Sequence, residues 1–119
     1  MIFLDTNILI EYLKGNKAPI NAYSLEELFI SDVVIMELYQ GARNKSDLNF
    51  IIKEIADFKV LQTHSQIMQL STQLLREYNL SHNLKMMDAI IASTAMVYDM
   101  PLMSINKKDF KYLDGLRLV

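Results

Sequence analysis

The chain contains no cysteine, which excludes disulfide bonds and thiolate zinc sites. No apolar run approaches the roughly 18 residues of a membrane-spanning helix, so we expect no membrane association. The N-terminal segment MIFLDTNILI has no basic leader and carries an aspartate, which argues against a signal peptide. No repeat, linker or low-complexity tract interrupts the 119 residues, only three of which are glycine and two proline. We therefore expect one domain, residues 1–119, in the cytoplasm.

Charge is distributed unevenly along the chain. The formal net charge of −2 gives no overall signature of nucleic-acid binding. Residues 1–57 contain nine acidic and five basic side chains, whereas residues 58–119 contain five acidic and seven basic ones. The lysines near Asp88 and the C-terminal polar cluster are candidates for contact with a nucleic-acid phosphate backbone: Lys85, Lys107, Lys108 and Lys111. For any single lysine, a solvated surface position is the more common outcome.

Short apolar segments alternate with helical patterns. The segments MIFLD, LFIS, FKVLQ, PLMS and LRLV are typical of buried strands. Thr6 or Asn7 is predicted to cap the first helix, and Ser31 or Asp32 the helix after the second strand. Other helical segments are predicted from Pro19 through SLEEL, around Leu48–Ile55, after a capping box at Thr63–Gln66, and over Met87–Tyr98. The alternation predicts an α/β fold with a mostly parallel sheet of about five strands, covered by helices on both faces.

Three acidic residues, Asp5, Glu37 and Asp88, lie in otherwise apolar segments. Carboxylates are rarely buried without a partner, because an isolated one would normally take up a proton. We therefore expect the three to gather around a compensating positive charge, such as the hard cations Mg²⁺ or Mn²⁺. Ligands of parallel sheets bind at the carboxyl ends of strands, where Asp5 and Ser104 both lie. This pattern predicts metal-dependent phosphate chemistry.

Each acid also has a simpler interpretation. Asp5 is suited to capping a helix, Glu37 to the exposed face of an amphipathic helix, and Asp88 to a helix N-terminus. The apolar-flank criterion selects Glu11 and Asp32 as well, although Glu11 could face solvent and Asp32 could cap a helix. The criterion alone therefore produces a candidate set that includes false positives.

Four segments resemble the motifs of PIN-domain ribonucleases, especially toxins of the VapC type. LDTNILIEYLKG resembles the family's opening, and SDVVIMELYQGA resembles its second motif, with the glutamate on Glu37. MMDAIIASTA resembles the third motif, with its acid on Asp88, and LMSINKKDF resembles the fourth. The four segments follow one another in the family's order and span essentially the whole chain.

The resemblance implies a PIN-like three-layer α/β/α sandwich. It also implies an endoribonuclease that hydrolyses RNA with water activated by Mg²⁺ or Mn²⁺. The acidic residues Asp5, Glu37 and Asp88 would be catalytic and bind the metal. Thr6 and Ser104 would supply supporting hydroxyls. Many relatives have aspartate where Asn106 stands, so the fourth metal-binding position falls either on Asn106 or on Asp109.

The resemblance further implies a cognate antitoxin as a protein partner, and a homodimer. Arginine or lysine from the antitoxin would pair with a carboxylate of the site. Four apolar positions could face a helix of that partner in a groove, or pack in the domain's own core: Ile10, Leu13, Tyr39 and Leu48.

Two other functional classes fit parts of the pattern. A non-catalytic PIN-like interaction module would share the fold without the chemistry. A receiver-type phosphoacceptor domain needs an acidic pair after the first strand, where Asp5 stands alone, and an acid after FKVLQ, where there is none. No protein nucleophile is required, consistent with the lack of cysteine and of a persuasive Ser–His pair. His64 and His82 fall in turn-like segments and lack metal-pair spacing.

Overall fold

The chain folds as an alternation of strands and helices, and the computed structural model describes all of residues 1–119. The elements are β1 Ile2–Leu4, α1 Thr6–Leu13, β2 Leu28–Ser31, α2 Asp32–Gln40, α3 Lys45–Ile55, β3 Lys59–Leu61, α4 Ser65–His82, α5 Met86–Val97 and β4 Leu102–Met103. Single 3₁₀ turns occupy Ala18–Ile20, Leu25–Glu27 and Lys107–Asp109. None of these helices is both long enough and apolar enough to cross a membrane.

The four strands form one parallel sheet in the order β3-β2-β1-β4. Crossovers between parallel strands are right-handed almost without exception, so α1, α2 and α3 cover one face while α4 and α5 cover the other. The helix contacts agree, because α1 packs against α2, α2 against α3, and α4 against α5. The predicted α/β/α sandwich is therefore confirmed.

The sheet forms the centre of the hydrophobic core. Phe3 and Leu4 of β1 and Leu102 of β4 are completely inaccessible to solvent. The chain leaves β1 towards β2 on one side, and it returns to β4 on the other side of β1. A crevice opens at the carboxyl ends of strands where the winding reverses in this way, and here that point lies between β1 and β4. Asp5 and Ser104 are the residues that follow these two strands.

The prediction of a fifth strand at LRLV is wrong. This segment makes only an isolated parallel bridge between Leu118 and Leu102. Two hydrogen bonds hold it, from the Leu102 nitrogen to the Arg117 oxygen at 2.8 Å and from the Val119 nitrogen to the Leu102 oxygen at 2.9 Å.

Two helix predictions also need correction. The stretch from Pro19 through SLEEL is not continuous, because Ser24 is extended (ψ 156°) and closes a capping box with Glu27, which starts a separate 3₁₀ turn. The predicted capping box at Thr63 is wrong as well. His64 is the N-cap of α4 without a side-chain hydrogen bond, since Thr63 instead donates its hydroxyl to Asp32.

Candidate active site

Asp5 lies at the junction of β1 and α1, beside the reversal point of the sheet. Its backbone is extended, and its Oδ1 accepts a hydrogen bond from the Thr6 nitrogen at 2.8 Å, so Asp5 itself is the N-cap of α1. The prediction that Thr6 or Asn7 caps this helix is wrong, because both lie within its first turn. Asp5 is 7% exposed and is the only charged side chain among the buried residues.

Ser104, which follows β4, holds the second oxygen of Asp5. Its Oγ donates to Asp5 Oδ2 at 2.8 Å. The same Oγ accepts hydrogen bonds from Asn7 Nδ2 and from the Asn106 backbone nitrogen, both at 3.2 Å. Because these two groups only donate, the single hydroxyl proton of Ser104 must point towards Asp5. The carboxylate is thus held at both oxygens.

Asn7 is a site residue that the sequence patterns do not identify. Its Oδ1 accepts from the Ile105 nitrogen at 3.2 Å while its Nδ2 donates to Ser104, so one amide joins α1 to the loop after β4. The only indication in the sequence is its position two residues after Asp5, which is equally typical of a helix cap. The partners of Asn7 lie almost a whole chain length away.

Glu37 extends from the middle of α2 towards the start of α1. Its Oε1 accepts a hydrogen bond from Thr6 Oγ1 at 2.6 Å, a short distance typical of a hydroxyl that donates to a carboxylate. The side chain is half-buried, so the interpretation of Glu37 as a fully solvated helix residue is excluded. Since Thr6 directly follows Asp5, this contact brings the second acid beside the first.

Asp88 lies in the first turn of α5 and is half-buried. Burial, and then the charges of Asp5, Asp109 and Glu37, raise the pKa of Asp88 from 3.8 to about 6. Burial also raises the pKa of Asp5, although its two hydrogen bonds oppose the change and Glu37 and Asp109 add to it. Repulsion of this kind means that acids from four separate parts of the chain share one electrostatic site.

The loop after β4 contains both candidates for the fourth position. The Asn106 backbone bonds to Ser104, whereas its side chain makes no hydrogen bond and is exposed. Asp109, at the end of the third 3₁₀ turn, lies close enough for its charge to raise the pKa values of Asp5 and Asp88. The structure thus brings the carboxylate of Asp109, rather than the amide of Asn106, into the electrostatics of the site.

The two additional acids selected by the apolar-flank criterion lie outside this site. Asp32 has a structural role: its Oδ1 accepts from the Val33 nitrogen at 2.8 Å and from Thr63 Oγ1 at 2.6 Å, which ties α2 to the end of β3. Ser31, not Asp32, caps α2, since its Oγ accepts from Val34. Glu11 is half-exposed on α1 and makes no side-chain hydrogen bond.

Two cavities flank the acids. The larger, about 400 Å³, lies between α1, α2 and α3 beside Glu37, and its walls are largely apolar, with Ile10, Leu13 and Phe50 among them. The smaller, about 210 Å³, is mostly polar and lies beside Asp88, between the end of α4 and the third 3₁₀ turn. The acidic site is therefore accessible from two sides with different chemistry.

The predicted RNA-binding lysines separate into two groups. Lys85 and Lys108 line the smaller cavity, close to Asp88. Lys107 and Lys111 are exposed but do not line either cavity. The structure therefore gives Lys85 and Lys108 a direct position at the site and leaves the other two on the surrounding surface.

The prediction that both histidines lie in turn-like segments holds for His64, which precedes α4 outside regular structure, but is wrong for His82. His82 is the last residue of α4 and lines the smaller cavity, and its ring stacks on Tyr112 with centroids 4.2 Å apart. His64 caps the opposite end of the same helix, where it contacts Tyr98 edge to face. Only His82 lies beside the acidic site.

The chemistry of the donor atoms suits a hard divalent cation. Carboxylate and hydroxyl oxygens surround Asp5, and these are the ligands that Mg²⁺ and Mn²⁺ prefer. No three acidic or histidine side chains lie at ligand spacing, because Asp5 and Glu37 are directed towards Ser104 and Thr6. A bound cation would relieve the repulsion that contributes to the raised pKa values of Asp5 and Asp88.

Together, the fold and the site define an α/β domain with an acidic, all-oxygen site where the winding of its parallel sheet reverses. The family model described as "PIN domain" matches residues 2–116. The chain belongs to the PIN-domain family, which excludes the receiver-type alternative.

Curated relatives cover nearly the full length of the chain. Ribonuclease VapC10 of Mycobacterium tuberculosis is 30% identical over 122 residues, which cover 98% of this chain and 91% of that protein. Ribonuclease VapC2 of Methanocaldococcus jannaschii is 28% identical, with 99% of this chain and 92% of the relative covered. Among solved structures, a toxin–antitoxin complex from Klebsiella pneumoniae contains a chain with a TM-score of 0.81 and 28% identity, over 98% of this chain and 95% of that one.

Proposed function

We propose that this chain is an endoribonuclease that hydrolyses RNA phosphodiester bonds with Mg²⁺ or Mn²⁺, and that it is the toxin of a toxin–antitoxin pair. The observation that carries the proposal is the convergence of Asp5, Glu37 and Asp88 at the reversal point of a parallel sheet. The charge of Glu37 contributes to the raised pKa of Asp5, and the charges of Asp5 and Glu37 contribute to the raised pKa of Asp88. The similarity to proteins named ribonuclease VapC and to a toxin–antitoxin complex supports RNA as the substrate and an antitoxin as the partner.

In this proposal the acids hold the cation and their neighbours hold the acids. Asp5, Glu37 and Asp88 are the principal ligands, and Asp109 is the fourth. A bound Mg²⁺ or Mn²⁺ supplies positive charge at the phosphate and activates water for attack on phosphorus. Ser104 favours the ionised form of Asp5 because it donates a hydrogen bond to Oδ2. Thr6 orients Glu37 because its hydroxyl donates to Oε1.

The central experiment measures cleavage of a fluorescent single-stranded RNA by the purified protein with Mg²⁺, with Mn²⁺ and with EDTA. We expect cleavage with either metal and none with EDTA. Asp5→Asn and Glu37→Gln should each lose nearly all activity. Glu11→Gln is the matched control, since Glu11 is a helical acid with apolar flanks outside the site, and it should cleave at the wild-type rate. Near wild-type cleavage by Asp5→Asn would contradict the assignment.

The antitoxin is proposed to occupy the larger cavity beside Glu37. Ile10, Leu13 and Phe50 offer an apolar surface for a partner helix, and the carboxylates at its end would attract an arginine or lysine. Of the positions predicted to face a partner, Tyr39 and Leu48 do not line this cavity. Co-expression with the adjacent reading frame should restore growth and yield a copurifying protein, and Ile10→Asp should abolish both. A chain that is harmless when expressed alone would refute the toxin role.

The non-catalytic PIN-like module remains the second candidate. The observation that favours it is the lack of three carboxylates at ligand spacing. This module would show no heat of Mn²⁺ binding in calorimetry and no cleavage under any metal condition. The nuclease should show both heat of Mn²⁺ binding and cleavage.

The homodimer and the cytoplasmic location stay predictions. Sedimentation of the purified chain, alone and with its antitoxin, tests the homodimer.

A further inference from the structure

The smaller cavity has a defined structural origin at the end of α4. Asn83 adopts a left-handed conformation (φ 58°), which ends the helix and turns the chain towards α5. Asn79 Nδ2 donates to the Leu84 oxygen at 2.9 Å and holds this turn. Residues of this turn and of the third 3₁₀ turn line the cavity of about 210 Å³, together with Asp88.

His82 is exposed, yet three contacts restrain its ring. The ring stacks on Tyr112 at 4.2 Å with an interplanar angle of 13°, and it meets Tyr78 edge to face at 5.7 Å. Its Nδ1 is 2.8 Å from Ser81 Oγ. An exposed ring held in this way loses little conformational freedom when a planar ligand stacks on it. The His82–Tyr112 pair is therefore a preordered stacking platform beside the acids.

Two lysines supply positive charge at the same cavity. Lys85 and Lys108 line the cavity. The protein has two ion pairs, Arg43–Asp47 and Arg117–Asp99, and these lysines take part in neither. Both lysines are therefore available to a ligand phosphate. Flat aromatic surface combined with unpaired cations is the chemistry that binds single-stranded nucleic acid.

We propose that this cavity binds the nucleotide next to the scissile phosphate: its base stacks on His82, and Lys85 and Lys108 contact its phosphate. The inference rests on the proposed nuclease function and adds to it the residues that hold the substrate strand. Asp88 and Asp109 also line the cavity and repel a phosphate, so the phosphate lies towards the lysines rather than towards these two carboxylates. Stacking tolerates any base, so the subsite positions the RNA strand rather than selecting a sequence.

The test measures fluorescence anisotropy of short single-stranded oligomers of A, C, G or U in EDTA, so that binding is separated from cleavage. His82→Ala removes the stacking contact with one base and should weaken binding about 5- to 150-fold. His82→Phe keeps an aromatic face and should bind nearly as the wild type. His64→Ala is the matched control, because His64 is also exposed and also touches a tyrosine, but lies at the other end of α4.

The lysines are tested through salt dependence. Each of Lys85→Gln and Lys108→Gln should lower the slope of log affinity against log salt by about 0.7, as expected for one phosphate contact to a single strand. Lys53→Gln, an exposed position on α3, should leave the slope unchanged.

The outcomes separate the subsite from the proposed function. If His82→Ala binds and cleaves like the wild type, the subsite is refuted while the nuclease survives. RNA binding that depends on His82, without cleavage under any metal condition, supports the subsite and refutes the nuclease. Equal weakening by His64→Ala, or no RNA binding by the wild type, overturns the subsite.

Discussion

Replacing Asp88 with asparagine should stabilise the metal-free protein at neutral pH. The folded chain has a pKa of about 6 at Asp88, against an ordinary value of 3.8, so the folded state binds this proton more tightly than the unfolded state does. The cost of ionising Asp88 therefore begins near pH 3.8, grows as pH rises to about 6, and stays constant above that. A difference of about two units between the folded and the ordinary pKa corresponds to about 3 kcal/mol in the free energy of unfolding. Because Asp88 is only half-buried, solvent screening reduces the expected gain to about 1–2 kcal/mol.

The assay is urea unfolding of wild type and Asp88→Asn in EDTA, at about pH 7.5 and about pH 4. The stability that Asp88→Asn gains over the wild type should be largest at about pH 7.5. At about pH 4 it should fall to a small fraction, because the Asp88 carboxyl of the folded wild type is then protonated. Added Mn²⁺ should stabilise the wild type more than the variant and so reduce the difference. Asp57→Asn is the control for the charge change, because Asp57 is exposed and makes no side-chain hydrogen bond.

Two results would refute this reasoning. One is an Asp88→Asn protein that is less stable than the wild type at neutral pH, since the charge at this position would then be a net stabilising contact. The other is an equal gain at both pH values, which would trace the effect to packing of the amide rather than to ionisation. An equal gain from Asp57→Asn would point to overall net charge instead.

Three further substitutions test the contacts around the site. Ser104→Ala should lower the free energy of unfolding by about 1–3 kcal/mol, because it leaves Oδ2 of the buried Asp5 without a hydrogen-bond donor, and it should also reduce RNA cleavage. Asp32→Ala should lower the free energy of unfolding by a similar amount, because it removes the hydrogen bonds to Thr63. The folded variant should still cleave RNA at the wild-type specific activity. A loss of specific activity would contradict this purely structural role. Asn106→Asp should tighten Mn²⁺ binding in calorimetry if position 106 contacts the metal, and unchanged affinity would assign the fourth position to Asp109.

The layout of elements is determined largely by local sequence. Apolar segments of strand length alternate with helical patterns, and this alternation leaves a parallel α/β sheet as the favoured arrangement. The principal acids are also identifiable locally, because a carboxylate within an apolar segment is costly unless the fold gives it a partner. In the structure Asp5, at the end of β1, is held by two hydrogen bonds, whereas Asp88, at the start of α5, lies half-buried within the field of the other acids.

Tertiary structure alone decides which candidates form the site. Asp32 and Glu37 have similar apolar flanks, but Asp32 bonds to Thr63 at the end of β3 whereas Glu37 bonds to Thr6 at the start of α1. Local sequence cannot distinguish them, since both partners lie 31 residues away.

The same limit applies to residues that no local pattern selects. Asn7 and Ser104 join opposite ends of the chain, 97 residues apart. His82 is the last residue of α4, and the end of that helix at the left-handed Asn83 borders the smaller cavity. A hydrogen bond or a stacking contact depends on the distance between groups in space. That distance is determined by the packing of the whole sheet and its helices, not by neighbours along the chain.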